Sequence, residues 1–356
     1  MDITEIDKNF ELPPVNEPDV EWFDVNDAPF SLHGVTYCAA EKKYRRMPDE
    51  VAKTVSDGVK FLATNTTGGR VRFITDSPYV AVKCVLPLGY VMAHMPTVGS
   101  HGVSLYADGK FVRMFTPSVY NLVNTGKDVT AFNGIHKFNA EKFRKIELYL
   151  PLYNGLYQMC VGVKKGSTIQ APPPYSKKQH VVFYGSSITQ GGCASRPGND
   201  YVSHLSRWLD FDFTNLGFSG SGKAEPQMRD YLASMPADVY VLDYDYNATS
   251  VEYLEQTHYP LYEAVRSAKK NAPILFISKP DFDADPSSAA RRAVIYKTYE
   301  TAKASGDDKV FFIDGETLFG SEERDACTVD TCHPNDLGFY RMAQTIRPVL
   351  ERILNL

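Results

Sequence analysis

No apolar run in this chain approaches the ~20 residues of a membrane span, so nothing in it reads as a transmembrane helix. Paired CxxC motifs are missing too: Cys38, Cys84, Cys160, Cys193, Cys327 and Cys332 are scattered over 356 residues. That scatter argues against a disulfide framework or a zinc module. Cys327, Cys332 and His333 form the one local cluster, and a metal centre would need a second ligand pair that is not evident, so no metal and no cofactor are expected. There is no basic excess. A net charge of -5 and a pI near 5.9 exclude the footprint of a nucleic-acid binder. Met1 to Phe10 alternates polar and apolar residues without a signal-peptide core. The chain as given therefore reads as cytoplasmic, or as secreted if a leader has been trimmed. What is present, 43% hydrophobic and 23% charged residues, suits a globular protein long enough for two domains. Oligomeric state is not readable.

Met1 to Val20 is acidic and carries Pro13, Pro14 and Pro18, which predicts an extended lead-in over residues 1–20. A β texture follows over 21–170. Val71–Ile74 and Tyr79–Val85 read as strands around the turn Asp76-Ser77-Pro78, and Asp108-Gly109 between Ser104–Ala107 and Lys110–Phe115 is a hairpin signal. Lys145–Leu150 and Leu156–Val163 add further strands. Many short strands with few helical stretches predict a sandwich or jelly roll. Pro172-Pro173-Pro174 makes 171–178 a stiff linker. Over 179–356, apolar strands at Val181–Tyr184, Val239–Leu242, Ile274–Ile277 and Val310–Ile313 alternate with helical patterns. One such helix runs between Ser287 and Gly306, capped by serines and ended by the glycine. Another carries Phe339, Met342, Ala343, Ile346, Val349, Leu350 and Ile353, with Pro348 a kink. This alternation predicts an α/β fold with a doubly wound parallel sheet.

The strand Val181–Tyr184 ends at Gly185, and Ser186 and Ser187 occupy the turn. A serine at the carboxyl end of a buried strand stands where open α/β sheets react with ligands, so Ser187 is the candidate nucleophile. Alone it reads more readily as a helix cap. Three later features supply partners. His333 lies in the loop Asp330-Thr331-Cys332-His333-Pro334-Asn335, and Asp330 is placed to fold back onto its imidazole. Asn215 to Gly220, after the strand-like Phe211-Asp212-Phe213, places glycines where a backbone N–H can face a ligand. Asn247, after Asp243-Tyr244-Asp245-Tyr246, offers an amide at another strand end. Each has a mundane alternative as a turn or a cap.

Taken in this order, the residues resemble the SGNH or GDSL hydrolase superfamily over about Lys177 to Leu356. The matching blocks are Gly185-Ser186-Ser187-Ile188, Asn215 to Gly220, Tyr246-Asn247 and Asp330-x-x-His333. The resemblance implies a flavodoxin-like α/β domain with Ser187 as nucleophile, His333 as base and Asp330 as its orienting partner. It also implies an oxyanion hole built from the Ser187 and Gly220 N–H groups and the Asn247 amide. Two positions depart from the pattern: Ser186 replaces an aspartate, and Asp245-Tyr246 stands where glycines are usual. They bear on how the nucleophile turn is braced and how wide the pocket is. Gly102-Val103-Ser104-Leu105-Tyr106 looks like the GxDLY motif of a β domain preceding one branch of these hydrolases, with Ser104 in place of aspartate. Tyr149 to Gly155 and Gly191 to Gly198 look like that branch as well. Members include carbohydrate acetylesterases acting on plant mannans and xylans, which implies a small acyl group, acetyl, on a carbohydrate partner.

Three other readings compete. Gly217-Phe218-Ser219-Gly220-Ser221-Gly222-Lys223-Ala224 imitates a phosphate loop, but Ala224 brings no hydroxyl for magnesium. A non-catalytic sugar-binding protein would use Tyr79, Tyr90, Tyr106 and Tyr120, although tyrosines in strands usually pair within a sheet. An acyltransferase would share the hydrolase site. Trp208 and the histidines His33, His94, His101, His136, His180, His204 and His258 read as structural or surface residues, with those of the β half within possible reach of the pocket mouth.

Overall fold

The computed structural model describes residues 3–8, 14–118, 122, 128–280 and 285–356. The lead-in expected to be extended contains one helical turn, Ile3–Ile6, and Val20 already opens a strand. Ile3–Ile6 precedes the prolines, so nothing there breaks a helical turn. Pro13 lies outside the described residues.

The first half is a β-sandwich. One antiparallel sheet holds Val20–Asp24, Gln158–Lys164, Tyr79–Pro87 and Val129–Lys137 in that spatial order. The other runs Ile169–Gln170, Arg70–Thr75, Arg144–Tyr149, Val103–Ala107 and Lys110–Phe115, with Ser31–His33 also on Arg70–Thr75. The segment Asp76-Ser77-Pro78 is thus a crossing between the two sheets, not a hairpin. Asp108 and Gly109 do form a hairpin turn, both at positive φ (51° and 77°), the geometry that matches strand twist. Val71, Phe73, Val80, Val82, Leu105, Ile146, Leu148 and Val161 fill the core between the sheets.

The second half is a doubly wound sheet. His180–Gly185, Asp212–Gly217, Val239–Asp243, Ile274–Ile277 and Val310–Ile313 are all parallel, with spatial order second, first, third, fourth, fifth. Alternation along each strand separates two cores. Val181, Phe183, Val241 and Ile277 face the helices Tyr201–Leu209 and Asp336–Ile353. Val182, Tyr184, Leu242 and Phe276 face Pro226–Ser234, Val251–Ala268 and Ser288–Ala304. The serine cap expected for Ser288–Ala304 is not made: Ser287 accepts from Arg291 instead, and Asp285 takes the Ser287 N–H. Gly306 does end that helix, at φ 87°.

Two helices of the first half, Asp49–Val55 and Asp57–Leu62, depart from the all-β expectation. Ser56 caps the second by accepting the Val59 N–H at 3.2 Å. Ala52, Val59 and Leu62 do not join the sandwich core. They pack into the second apolar layer of the parallel sheet with Leu216, Phe218 and Met228. The edge strand Asp212–Gly217 is covered by the same half. Arg46 caps the Asn215 and Gly217 carbonyls, and Arg70, fully buried, pairs with Asp212 at 2.6 Å over the Phe213 ring. The crevice at the strand ends is therefore built by both halves.

Candidate active site

Ser187 opens a short helix, Ser187–Gln190, where the strand His180–Gly185 ends. Glycine is needed at 185, because a Cβ there would lie 1.9 Å from Thr189 Oγ1. Ser186 caps the helix by accepting the Ile188 N–H at 3.2 Å. The bracing that an aspartate at 186 would supply comes from the next strand. Thr189 Oγ1 and the Tyr201 hydroxyl both donate to Asp243 Oδ2, at 3.1 and 3.0 Å. Burial pushes the Asp243 carboxyl up to about 7, and nearby Asp245 adds to this against the two hydroxyl donors. From the other side, Asn215 Nδ2 donates to Thr189 O, Thr67 Oγ1 to Gln190 O, and the Tyr153 hydroxyl to Ser187 O at 3.2 Å. The turn is held from both halves and leaves Ser187 6% exposed.

His333 lies in a loop closed by a bridge between Thr328 and Pro334, just before Asn335 caps the last helix. Thr331 takes φ 68°, an unfavourable value for a β-branched residue, and this folds Asp330 back over the loop. Asp330 Oδ1 accepts the His333 and Cys332 backbone N–H groups, while Oδ2 accepts from His333 Nδ1 at 2.7 Å. This network assigns the proton to Nδ1, so Nε2 is left to accept from the Ser187 hydroxyl, 2.9 Å away. Partial burial works against the Asp330 charge, but the bonds from His333 and Cys332 outweigh it and hold the carboxyl below its ordinary value. The arrangement can move a proton from a serine hydroxyl to an imidazole whose new charge a carboxylate supports.

Asn247 ends a 3₁₀ turn, Asp245–Asn247, and one of its amide hydrogens goes to Phe218 O at 2.8 Å. Asp245, where glycine is usual, is an anchor. It pairs with Arg291 at 3.1 Å, and Arg291 also donates to the Asp245 and Ala248 carbonyls. Gly220 adopts φ 64° with open space around it. Among the described residues, neither the Ser187 nor the Gly220 N–H donates to a protein acceptor. Asn215 to Gly217 belong to the strand itself, not to a turn after it, and the loop starts at Phe218. That loop is no phosphate cradle: the Ser219 N–H goes to Gln190, and those of Ser221 and Gly222 go to Phe218 O.

Several neighbours were not legible as site residues: Asp243, Tyr153 and Arg291; His94, one of the β-half histidines within possible reach of the pocket mouth, does reach it. His94 comes from the β half, with Nε2 3.7 Å from Asp330 Oδ2 and its ring 5.6 Å from that of His333. In the local cluster Cys327, Cys332 and His333, Cys327 Sγ is turned to Phe319 O, Glu323 O and Arg341. Of the tyrosines considered for sugar binding, Tyr79 and Tyr106 are buried, Tyr90 is exposed, and Tyr120 lies outside the described residues. Trp208 packs tilted against His204 and edge-on to Tyr340.

Comparison with known proteins bears on this site. The GDSL-like lipase/acylhydrolase family matches residues 178–351, and the GxDLY family, the N-terminus of SGNH-type esterases, matches 20–169. The hydrolase half, residues 178–351, is of the lipase/acylhydrolase class. The chain thus joins a GxDLY-type β half to a hydrolase half of the SGNH/GDSL type. A GDSL-like lipase structure from Bacteroides ovatus is 28% identical, covering 94% of this chain and 98% of that one, with a TM-score of 0.81. The salicylyl-acyltransferase SsfX3 of a tetracycline biosynthetic pathway shares the fold at 21% identity, 95% and 98% coverage and a TM-score of 0.75. A family two carbohydrate esterase from Clostridium thermocellum, in complex with cellohexaose, shares it at 14% identity, 92% and 99% coverage and 0.64. No curated protein sequence matches the chain.

Proposed function

We propose that the protein removes small acyl groups, acetyl foremost, from carbohydrate esters of the mannan or xylan type through an acyl-Ser187 intermediate. The observation that carries this reading is the continuous path Ser187 Oγ, His333 Nε2, His333 Nδ1, Asp330 Oδ2, with links of 2.9 and 2.7 Å. His333 takes the Ser187 proton as Oγ attacks the ester carbonyl, then returns it to the leaving sugar hydroxyl. A water activated by the same imidazole releases the acid. Charge on the tetrahedral oxygen falls to the Ser187 and Gly220 N–H groups and the Asn247 amide, each such donor worth roughly 2.7–4 kcal/mol.

A sugar is favoured by an aromatic-lined pocket of the β half. A pocket of about 260 Å³ is lined by Phe61, Tyr90, Asn154 and Tyr153, the residue whose hydroxyl holds Ser187 O. The Phe61 and Tyr90 rings are exposed, 6.4 Å apart, and suit the apolar face of a pyranose. The carbohydrate esterases that share the fold agree with this reading. Ser187→Ala should retain its fold and lose hydrolysis of 4-nitrophenyl acetate; full activity in that variant would end the proposal. Acetylated oligosaccharides followed by mass, looking for loss of ketene mass, identify the ester. A second reading is acyl transfer to another sugar hydroxyl, favoured by the depth at which Ser187 lies. Acylated products formed on an added sugar acceptor would select it.

A further inference from the structure

We propose that His94, Cys193 and His333 form a site for a thiophilic divalent cation, Zn²⁺, and that filling it switches the esterase off. One ligand atom from each lies within 4.8 Å of the others, yet the three come from separate segments. His94 belongs to the loop before Thr97–His101 in the β half, Cys193 to the turn after Ser187–Gln190, and His333 to the loop before the last helix. Nothing in the hydrolytic reading uses the Cys193 thiol. It is nonetheless held 3% exposed in a left-handed backbone conformation, φ 77°, which is uncommon for a residue with a side chain.

Two imidazoles and one thiolate are a donor set for zinc, and oxygen-seeking Mg²⁺ or Ca²⁺ would not compete for it. Zinc bonds of about 2.0–2.3 Å need the three atoms drawn somewhat closer together. The half-exposed His94 side chain can supply that movement and leaves a path for the ion. His333 must ligate through Nε2, because Nδ1 is held by Asp330. Asp330 then plays the part of a carboxylate behind a metal-bound imidazole, fixing its tautomer and orientation. On binding, Cys193 forms a sulfur–metal bond and its thiol proton leaves to solvent. The two imidazoles give lone pairs, and water completes the fourth position. No electron is transferred.

The consequence for catalysis follows from the one lone pair on Nε2. Shared with a cation, it no longer accepts the Ser187 proton. This step rests on His333 being the base, whereas the binding itself does not.

The experiment uses the whole chain. Co²⁺ is titrated as a spectroscopic probe, with thiolate-to-metal absorption as readout, and Zn²⁺ affinity is read by competition with a chromogenic chelator. Hydrolysis of 4-nitrophenyl acetate is followed in parallel. One ion should bind per chain, with the thiolate band, and hydrolysis should be lost on filling and restored by EDTA; Mg²⁺ should have no effect. Cys193→Ala and His94→Ala should each weaken Zn²⁺ binding by at least about ten-fold. His94 is exposed enough that its variant separates ligand loss from misfolding. Unchanged affinity in both variants would overturn the site. Filling that leaves hydrolysis intact would overturn the switch. A chain that binds Zn²⁺ as described but hydrolyses no ester would instead count against the functional reading.

Discussion

One guanidinium nitrogen of Arg46 lies 2.9 Å from the Asn215 carbonyl, and the same nitrogen reaches Gly217 O at 2.7 Å. Arg46 also donates to the Asn65 and Leu62 carbonyls, above the Phe218 ring. Burial pushes this guanidinium down to about 9, so its charge is costly and is retained by the acceptors around it. Arg46→Met keeps the volume and leaves four carbonyls without their donor. Urea unfolding should show a loss of about 3 kcal/mol; a change below about 0.5 kcal/mol would mean that water replaces the side chain at no cost.

Asp330→Asn keeps the size of the side chain and an oxygen for the backbone N–H groups, but turns a donor amide toward His333 Nδ1 and so favours the wrong tautomer. Steady-state kinetics should show kcat reduced by about 10²- to 10⁴-fold with KM little changed. The group is one-third exposed, so the melting temperature should barely move.

Asn247→Ala removes an amide already anchored on Phe218 O. A loss of about 10²- to 10³-fold in kcat is expected. Arg291→Ala, which frees Asp245 and the Ala248 carbonyl on either side of Asn247, should lower kcat less and should also lower thermal stability. Equal losses in the two variants would argue that Asn247 serves the fold and not the reaction.

Asp243 links the site to pH. Its carboxyl titrates near 7 when folded and near 3.9 when unfolded. Between those values the folded chain holds the extra proton, so this group's contribution falls as pH rises from about 4 to about 7 and is level above that. Asp243→Asn has no such descent. Unfolding free energies measured at intervals between about pH 4 and 8 should therefore diverge, the variant gaining on the parent as pH increases. Parallel curves would show that the carboxyl is not protonated in the fold.

Where the sequence carried periodicity, the fold could be read from it. Val181 to Tyr184 and the Asp108-Gly109 turn announce their own geometry, because buried strands and left-handed turns admit few residue types. The same holds for Ser187, Asp330 and His333, whose spacing follows from strand ends and one tight loop. Asn215 was less legible: a polar residue inside a buried strand looks like the strand's end until its side chain is seen bonded to Thr189 and Gly217. The helices over Asp49 to Leu62 had their signals, with Ser56 before Asp57 and apolar residues three and four apart, but these were short beside the surrounding β pattern. His94 had none. Its place beside Asp330 depends on how a loop of one half lies across the other, and no local pattern encodes that.

The helices Asp49–Val55 and Asp57–Leu62 make the two halves inseparable. Cutting the chain at its run of prolines would strip the α/β half of Ala52, Val59 and Leu62 and lay bare an oily flank. Such a fragment should precipitate when expressed by itself and become soluble when the missing piece is supplied in trans. A protein assembled this way cannot swap one module for another; new substrates must come from altering the loops that meet above the serine.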